Sequence, residues 1–221
     1  MKSSFEELYD YEAVRSLGVA TALVVRLAEP TLVVGSSQPD SVLAIDRADF
    51  PVRRRRGGGG VVLLQPDDVW IDFWIPSDDA RFRSDVTTAA VLVGSWWGQA
   101  LATLRSGNWS LGVGGMRGQP EHGVACFAMG GPGEVFLDGR KAVGLTQWRV
   151  REGSFISTVL HRGDSSAILT QIPVVPEGLE SALQHHNLET LGFVSHADDI
   201  ERAVLGASNP WLRRQLFLSA N

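Results

Sequence analysis

The chain has 221 residues, of which 44% are hydrophobic and 20% charged, and its formal net charge is −5. This length and composition predict one folded domain with a substantial core, and they exclude a disordered chain and a general nucleic-acid binder. No apolar run has the length of a membrane span or the form of a secretory signal, so we expect a cytoplasmic protein with no membrane partner. The single cysteine, Cys126, excludes an internal disulfide and a cysteine-rich metal site.

The first half of the chain predicts strands followed by one long helix. Thr31 to Gly35 has the apolar run and the terminal glycine of a buried strand. Residues 61–64 and 69–75 have the composition of two paired strands around a short turn. Residues 85–105 carry apolar side chains at three- and four-residue steps, which predicts a helix. We expect four tryptophans of these segments to fill the core rather than stack on bases: Trp70, Trp74, Trp96 and Trp97.

The second half predicts a hairpin and then helices. Asp138-Gly139 separates two strand-like runs and is a typical hairpin turn, with residues 155–161 as a third strand beside them. From 178 to 221 the pattern is helical, including a short segment after Pro210. The adjacent His185 and His186 are expected on the surface, because neighbours on a helix point about 100 degrees apart and cannot easily share a metal. The predicted fold class is therefore α+β, with a mixed, mainly antiparallel sheet and packed helices.

An unusual block lies between the first strands, where four arginines, 53–56, stand directly before four glycines, 57–60. Bare backbone amides form a concave donor surface for anions, and guanidinium forks bind phosphate or carboxylate. The block lacks the ending of a Walker loop and the spacing of a dinucleotide-binding fingerprint. Its composition fits a binding turn for an anionic small molecule and a flexible basic loop equally well.

Three segments resemble one protein family. Residues 53–62 resemble the Arg-Arg-x-Ser-Gly-Gly-Gly-x-Val signature of the lipoate-protein ligase A and octanoyltransferase family, within the biotin/lipoate protein ligase superfamily. Residues 32–39 resemble its upstream strand ending in Gly-x-x-Gln, and residues 135–149 its downstream Gly-Arg-Lys segment. The motifs follow family order across about residues 31–160. The resemblance implies one catalytic domain over residues 1–221 that attaches a lipoyl or octanoyl group to a lysine of a lipoyl-carrier domain.

The resemblance also implies roles for individual residues. Lys141 would be the family's central lysine, which neutralises charge that develops during acyl transfer. Arg54 would contact the nucleotide or adenylate phosphate. The implied cofactors are ATP and Mg²⁺, with lipoate or octanoate converted to an acyl-AMP intermediate, and no protein side chains are assigned to a metal. The backbone expected to line this adenylate comes from Gly57, Gly58, Gly59, Gly60, Val61 and Val62.

Cys126 offers a second mechanism. It lies fifteen positions before Lys141 and resembles the nucleophilic cysteine of the octanoyltransferases. That enzyme class takes an octanoyl group from acyl carrier protein as a thioester and passes it to the target lysine without ATP. Lys141 or Arg140 would favour the thiolate. A buried, inert cysteine explains the apolar surroundings of Cys126 equally well. The ligase route ranks first, because the arginine run suits a phosphate-bearing intermediate.

The sequence departs from the family pattern at several positions. Arg56 stands where the family has serine, and Leu63 or Leu64 stands where it has histidine. These departures support a third hypothesis, a non-catalytic module that binds lipoate, an acyl-adenylate or a lipoyl domain. A biotin ligase is disfavoured, because contiguous glycines replace the Gly-Arg-Gly-Arg loop of that family.

The expected partners follow from the same resemblance. They are the lipoyl domain of a 2-oxoacid dehydrogenase E2 subunit or the glycine cleavage H protein. Acyl carrier protein is the further candidate for the transferase route. A separate accessory chain is another, because the sequence is too short for the accessory domain of the longer ligases.

Overall fold

The structure is a computed structural model that describes residues 5–44, 48–191, 195–208 and 212–218, and it contains two sheets with helices packed against them. The strands are β1 (Glu6–Glu7), β2 (Thr21–Leu27), β3 (Thr31–Val34), β4 (Val52–Arg54), β5 (Val62–Leu64), β6 (Val69–Pro76), β7 (Trp109–Leu111), β8 (Val135–Leu137), β9 (Arg140–Val150), β10 (Gly153–Leu160) and β11 (Leu212–Leu218). The α-helices are α1 (Tyr11–Arg15), α2 (Val86–Leu104), α3 (Leu179–His185) and α4 (Ala197–Ser208). Short 3₁₀ turns connect several of these elements, among them Pro120–Val124 and Cys126–Ala128.

The two sheets confirm the predicted α+β class. The smaller sheet has the order β1-β4-β3-β5, and the larger has the order β11-β2-β6-β10-β9-β8-β7. In the larger sheet every described pairing is antiparallel except that of β11 with β2. In the smaller sheet β4 runs parallel to both of its neighbours. The sheets are therefore mixed and, in the larger one, mainly antiparallel.

Strand β6 lies between the two hydrophobic cores. Its odd-numbered residues, from Val69 to Ile75, pack with α2 and α4 on one face of the larger sheet. Trp70 and Trp74 belong to the other core, between the two sheets. Helix α2 begins after Asp85, whose side chain accepts the Thr88 backbone N–H, and its Trp96 and Trp97 are buried. The predicted helix and the core tryptophans are confirmed.

The predicted hairpin is also confirmed. Asp138 and Gly139 both have positive φ, at 51° and 80°, as the tight turn between β8 and β9 requires. Strand β10 pairs with β9 on one side and with β6 on the other. Across the described residues, no helix combines the length and the apolar character needed to cross a bilayer.

One predicted strand pairing and one predicted helix were wrong. Strands β5 and β6 do not pair: β5 pairs with β3 in the smaller sheet, and β6 lies between β2 and β10. All eight residues of β6 are buried, so this strand needs a neighbour along each edge, and the turn before it carries the chain from one sheet to the other. The segment after Pro210 is a strand, not a helix. Its backbone forms hydrogen bonds with the open edge of β2. A helix of seven residues is only marginally stable by itself, so pairing with β2 is the more favourable arrangement.

Candidate functional site

The four glycines form a fixed turn between β4 and β5. Gly59 has φ +91°, a conformation that favours glycine. A Cβ on Gly60 would lie 2.6 Å from the carbonyl oxygen of Gly123, so another chain segment passes directly against it. On the far side of the turn, the Val61 N–H donates to the Val124 carbonyl at 2.7 Å and the Cys126 N–H donates to the Val61 carbonyl at 2.8 Å. The turn is therefore built into the fold rather than a flexible basic loop.

Arg55 holds this turn from beneath. Its guanidinium is buried, with 5% of the residue exposed, and donates to the carbonyls of Gly58 and Gly60 at 2.9 and 2.7 Å and to that of Val33 at 3.3 Å. Burial lowers the pKa of Arg55, and its interaction with the Cys126 sulfur acts in the opposite direction. Arg55 is thus a buried cation that fixes the carbonyls of the glycine turn.

The other arginines of the run have partners outside the glycine turn. Arg54 donates to the carbonyls of Gly35 and Gln38 at 2.6 and 2.9 Å, so it fixes the loop after β3. Each of the three has an acidic partner: Glu6 for Arg53, Asp40 for Arg54, and Glu7 and Glu12 for Arg56. The structure does not place the predicted phosphate contact, Arg54, among the residues that line the neighbouring cavity.

That cavity has a volume of about 700 Å³ and lies between the glycine turn, the first turn of α2 and strand β9. Its size is in the range of small-molecule sites. The structure brings together in its lining Gly58, Gly59, Gly60, Cys126 and Lys141. Of the other predicted residues, Gly57 packs against Thr146, and Val61 and Val62 are buried behind the turn. An adjoining cavity of about 30 Å³ shares Cys126, Leu145 and Thr146 with the first and continues between the sheets.

Lys141 is buried in the wall of the larger cavity, with its side chain 2% exposed. Its Nζ donates to the carbonyls of Cys126 at 2.7 Å and Met129 at 3.0 Å, and it lies 2.6 Å from Oε1 of Glu134. The ammonium also stands 4.8 Å from the centre of the Phe127 ring. Lys141 therefore fixes the backbone of the cysteine segment as well as bordering the cavity.

Glu134 is the partner that sequence reasoning missed. Its side chain is 7% exposed, it lines the cavity, and its Oε2 accepts the Gly131 N–H at 2.6 Å. Among the described residues that line the cavity, Glu134 and Lys141 are the only charged ones. One feature of the sequence could have predicted this pair. The hairpin turn at Asp138-Gly139 places β8 beside β9, so Glu134, just before β8, lies near Lys141, at the start of β9.

His186 also supports Lys141. Its Nδ1 accepts the Lys141 backbone N–H at 2.8 Å, and burial lowers the pKa of His186 to about 4, which keeps the ring neutral. The expectation that both histidines lie on the surface is wrong for His186, which is half-buried, although His185 is exposed. His186 is half-buried because helix α3 ends just before this residue and the His186 ring lies against Phe136 of the hairpin. Arg140 donates to the carbonyls of His185 and Asn187, away from the thiol.

The comparisons with known proteins give the fold. No protein-family model matches the chain. No curated protein matches it either. Among solved structures, a lipoate-protein ligase A bound with ATP is 16% identical, with 99% of this chain and 90% of that chain covered and a TM-score of 0.71. This chain has the lipoate-protein ligase fold. The resemblance found in the sequence is confirmed at that level.

Two further structures with the lipoate-ligase fold come from T. acidophilum. Protein Ta0514 with bound lipoic acid is 14% identical, with 98% of this chain and 89% of that chain covered and a TM-score of 0.69. A bipartite lipoate protein ligase, described with its E2 lipoyl domain, is also 14% identical, with 94% and 80% covered and a TM-score of 0.72. The likeness covers nearly the whole of this chain, so the segments that line the 700 Å³ cavity lie within the shared fold.

Proposed function

We propose that this chain is an enzyme that attaches a lipoyl or octanoyl group to a lysine of a lipoyl-carrier domain in the cytoplasm. The observation that carries the proposal is the meeting of bare backbone from Gly58 to Gly60 with Lys141 in one cavity of about 700 Å³. Backbone amides fixed in place can stabilise negative charge on an acyl oxygen. The carrier domain is that of an E2 subunit or the H protein, as one fold relative described with its E2 lipoyl domain suggests.

The first candidate donor is free lipoate or octanoate, as in a ligase. Relatives of the same fold are described with bound lipoic acid and with ATP, which supports this route. ATP with Mg²⁺ would supply activation of the carboxylate as an acyl-AMP. The charged side chains of the lining do not fit a triphosphate, however, because Lys141 is paired with Glu134. Arg54 lies outside the lining and is paired with Asp40. A separate accessory chain that brings cations to the cavity is therefore part of this first proposal.

The second candidate donor is an acyl thioester. Cys126 borders both cavities, and the buried cation Arg55 lines the smaller one with it. In this route the thiolate attacks the thioester carbonyl of octanoyl acyl carrier protein, and the carrier thiol leaves. The amine of the target lysine then attacks the new thioester, forms the amide and releases the Cys126 thiol. This route needs no triphosphate, so it agrees with the neutral lining.

A direct assay decides between these donors. Apo lipoyl domain is incubated with the chain and either octanoate, ATP and Mg²⁺ or octanoyl acyl carrier protein, and its mass is measured. We expect a mass increase of one octanoyl group with at least one donor. Cys126→Ser removes transfer from the thioester donor if Cys126 is the nucleophile, and leaves the ligase route intact.

The non-catalytic hypothesis gives the opposite result. If neither donor modifies the lipoyl domain, the enzyme proposal fails for this chain. Binding of lipoate or of the lipoyl domain, measured by calorimetry without turnover, would then favour a binding module.

A further inference from the structure

All three hydrogen atoms of the Lys141 ammonium have acceptors. An ammonium has three donors, and the Cys126 carbonyl, the Met129 carbonyl and Glu134 Oε1 lie within 3.0 Å of Nζ. A free fatty acid that paired its carboxylate with Lys141 would have to displace one of them. The two carbonyls belong to the chain segment that forms the cavity wall, so Glu134 is the acceptor that a second carboxylate would replace.

Glu134 is fixed where it stands. Its Oε2 accepts the Gly131 N–H at 2.6 Å, and its Oε1 faces the Leu145 N–H at 3.5 Å in addition to Lys141. Its side chain is 7% exposed, and a carboxylate with fixed donors on both oxygens gains little by turning to solvent. The carboxylate is therefore part of the cavity wall.

The pair makes the lining electrically neutral. A carboxylate ligand beside Lys141 would stand next to the Glu134 carboxylate, so two negative charges would share one ammonium. One of these negative charges would be buried without a partner, which is costly. An uncharged acyl group, such as a thioester or an amide, meets no such repulsion. The other buried cation, Arg55, lies beneath the turn with its hydrogen bonds directed to backbone carbonyls, and it is not part of the larger cavity's lining.

We propose that Glu134 is a specificity-determining residue that makes this cavity select uncharged acyl groups over free fatty carboxylates. The inference rests on the proposed function and favours its second donor over its first: an acyl group that arrives already activated as a neutral ester of a thiol. Removal of the Glu134 charge leaves Lys141 as an uncompensated buried cation, which a fatty carboxylate can then neutralise.

Binding of two small ligands tests this without any turnover. Octanoate and octanamide have the same chain and differ in charge, and their dissociation constants are measured by calorimetry. We expect the wild-type chain to bind octanamide about tenfold or more tightly than octanoate. Glu134→Gln should gain about tenfold or more in octanoate affinity, with octanamide nearly unchanged. The matched control Glu121→Gln makes the same chemical change at an exposed glutamate near the mouth and should behave as wild type.

The outcomes separate the inference from the function. Tighter binding of octanoate than of octanamide by the wild-type chain overturns the inference, and this comparison does not depend on whether Glu134→Gln folds. An unchanged ligand preference in folded Glu134→Gln overturns it as well. In both cases a lipoyl domain that still gains an octanoyl group leaves the proposed function standing. Failure of the wild-type chain to bind either ligand overturns the inference, and the mass of the lipoyl domain then decides the proposed function on its own.

Discussion

The two walls of the cavity differ in the charge of the residues that line them. The glycine wall follows four arginines in sequence, yet its lining residues, Gly58 to Gly60, are uncharged. The opposite wall contains one buried lysine and one buried glutamate, which together determine the electrostatics of the lining. A run of charge in the sequence therefore does not show where the charge is directed. On one wall Arg55 fixes the backbone of the glycine turn from behind, and on the other an ion pair faces the ligand space.

The largest expected effect comes from the charged wall. Lys141→Met leaves the Glu134 carboxylate buried without a cation, so we expect a loss of about 3–5 kcal/mol in the free energy of unfolding. Chemical denaturation measures it. The double variant Lys141→Met/Glu134→Gln has no unpaired charge and should regain part of that loss. A double variant as unstable as the single one would show that the pair is not coupled.

The glycine wall should depend on one arginine more than on its neighbours. Arg55→Met removes the buried donor that the Gly60 carbonyl accepts from at 2.7 Å, and we expect it to cost about 2–3 kcal/mol. Arg53→Met makes the same change in the same run, where the partner Glu6 is exposed, and should cost about 1 kcal/mol or less. Equal losses in the two denaturation curves would contradict the bracing role of Arg55.

The fixed geometry of the turn gives a third comparison, between two of its glycines. Gly60→Ala would place a methyl group 2.6 Å from the Gly123 carbonyl oxygen, and we expect a loss of about 1–3 kcal/mol. Gly58→Ala meets nothing within 4 Å and should change stability by about 0.5 kcal/mol or less. Thermal unfolding of the pair tests this. A tolerated alanine at Gly60 would show that the turn moves away from the 123–126 segment.

The fold was predictable where the signal was local. The period of helix α2 and the Asp138-Gly139 turn are properties of neighbouring residues, and both appear as predicted. Strand β11 was mistaken for a helix because its partner, β2, lies near the opposite end of the chain. Pairing at that sequence distance depends on which sheet edge is open, and a short apolar segment does not reveal this.

The site followed the same rule. The meeting of the glycine turn with Lys141 was predictable from motifs, whose order and spacing the sequence displays directly. The direction of Arg54 was not, because it depends on Asp40 and on two carbonyls of the loop after β3. Glu134 was overlooked because its pairing with Lys141 depends on the register of the hairpin, which shifts between Val135 and Phe136.

The smallest effect concerns pH and again belongs to the Lys141 wall. The pKa of His186 falls from 6.5 to about 4 on folding, because the ring is partly buried and lies near the charges of His185, Lys141 and Arg140. In the neutral ring Nδ1 accepts the Lys141 N–H. Between these values the unfolded chain binds a proton that the folded chain does not, so stability is complete above pH 6.5 and declines as the pH falls toward 4. We expect the free energy of unfolding to fall by about 1 kcal/mol over this range, since solvent reaches part of the ring.

Two variants test the role of His186 in this pH dependence. His186→Asn keeps a hydrogen-bond acceptor that does not titrate in this range, so the denaturation midpoint should decline less as the pH falls. His185→Asn should show the same decline as the wild-type chain. A decline that persists unchanged in His186→Asn would assign the pH dependence to another group and leave the neutral ring with no part in holding the lysine.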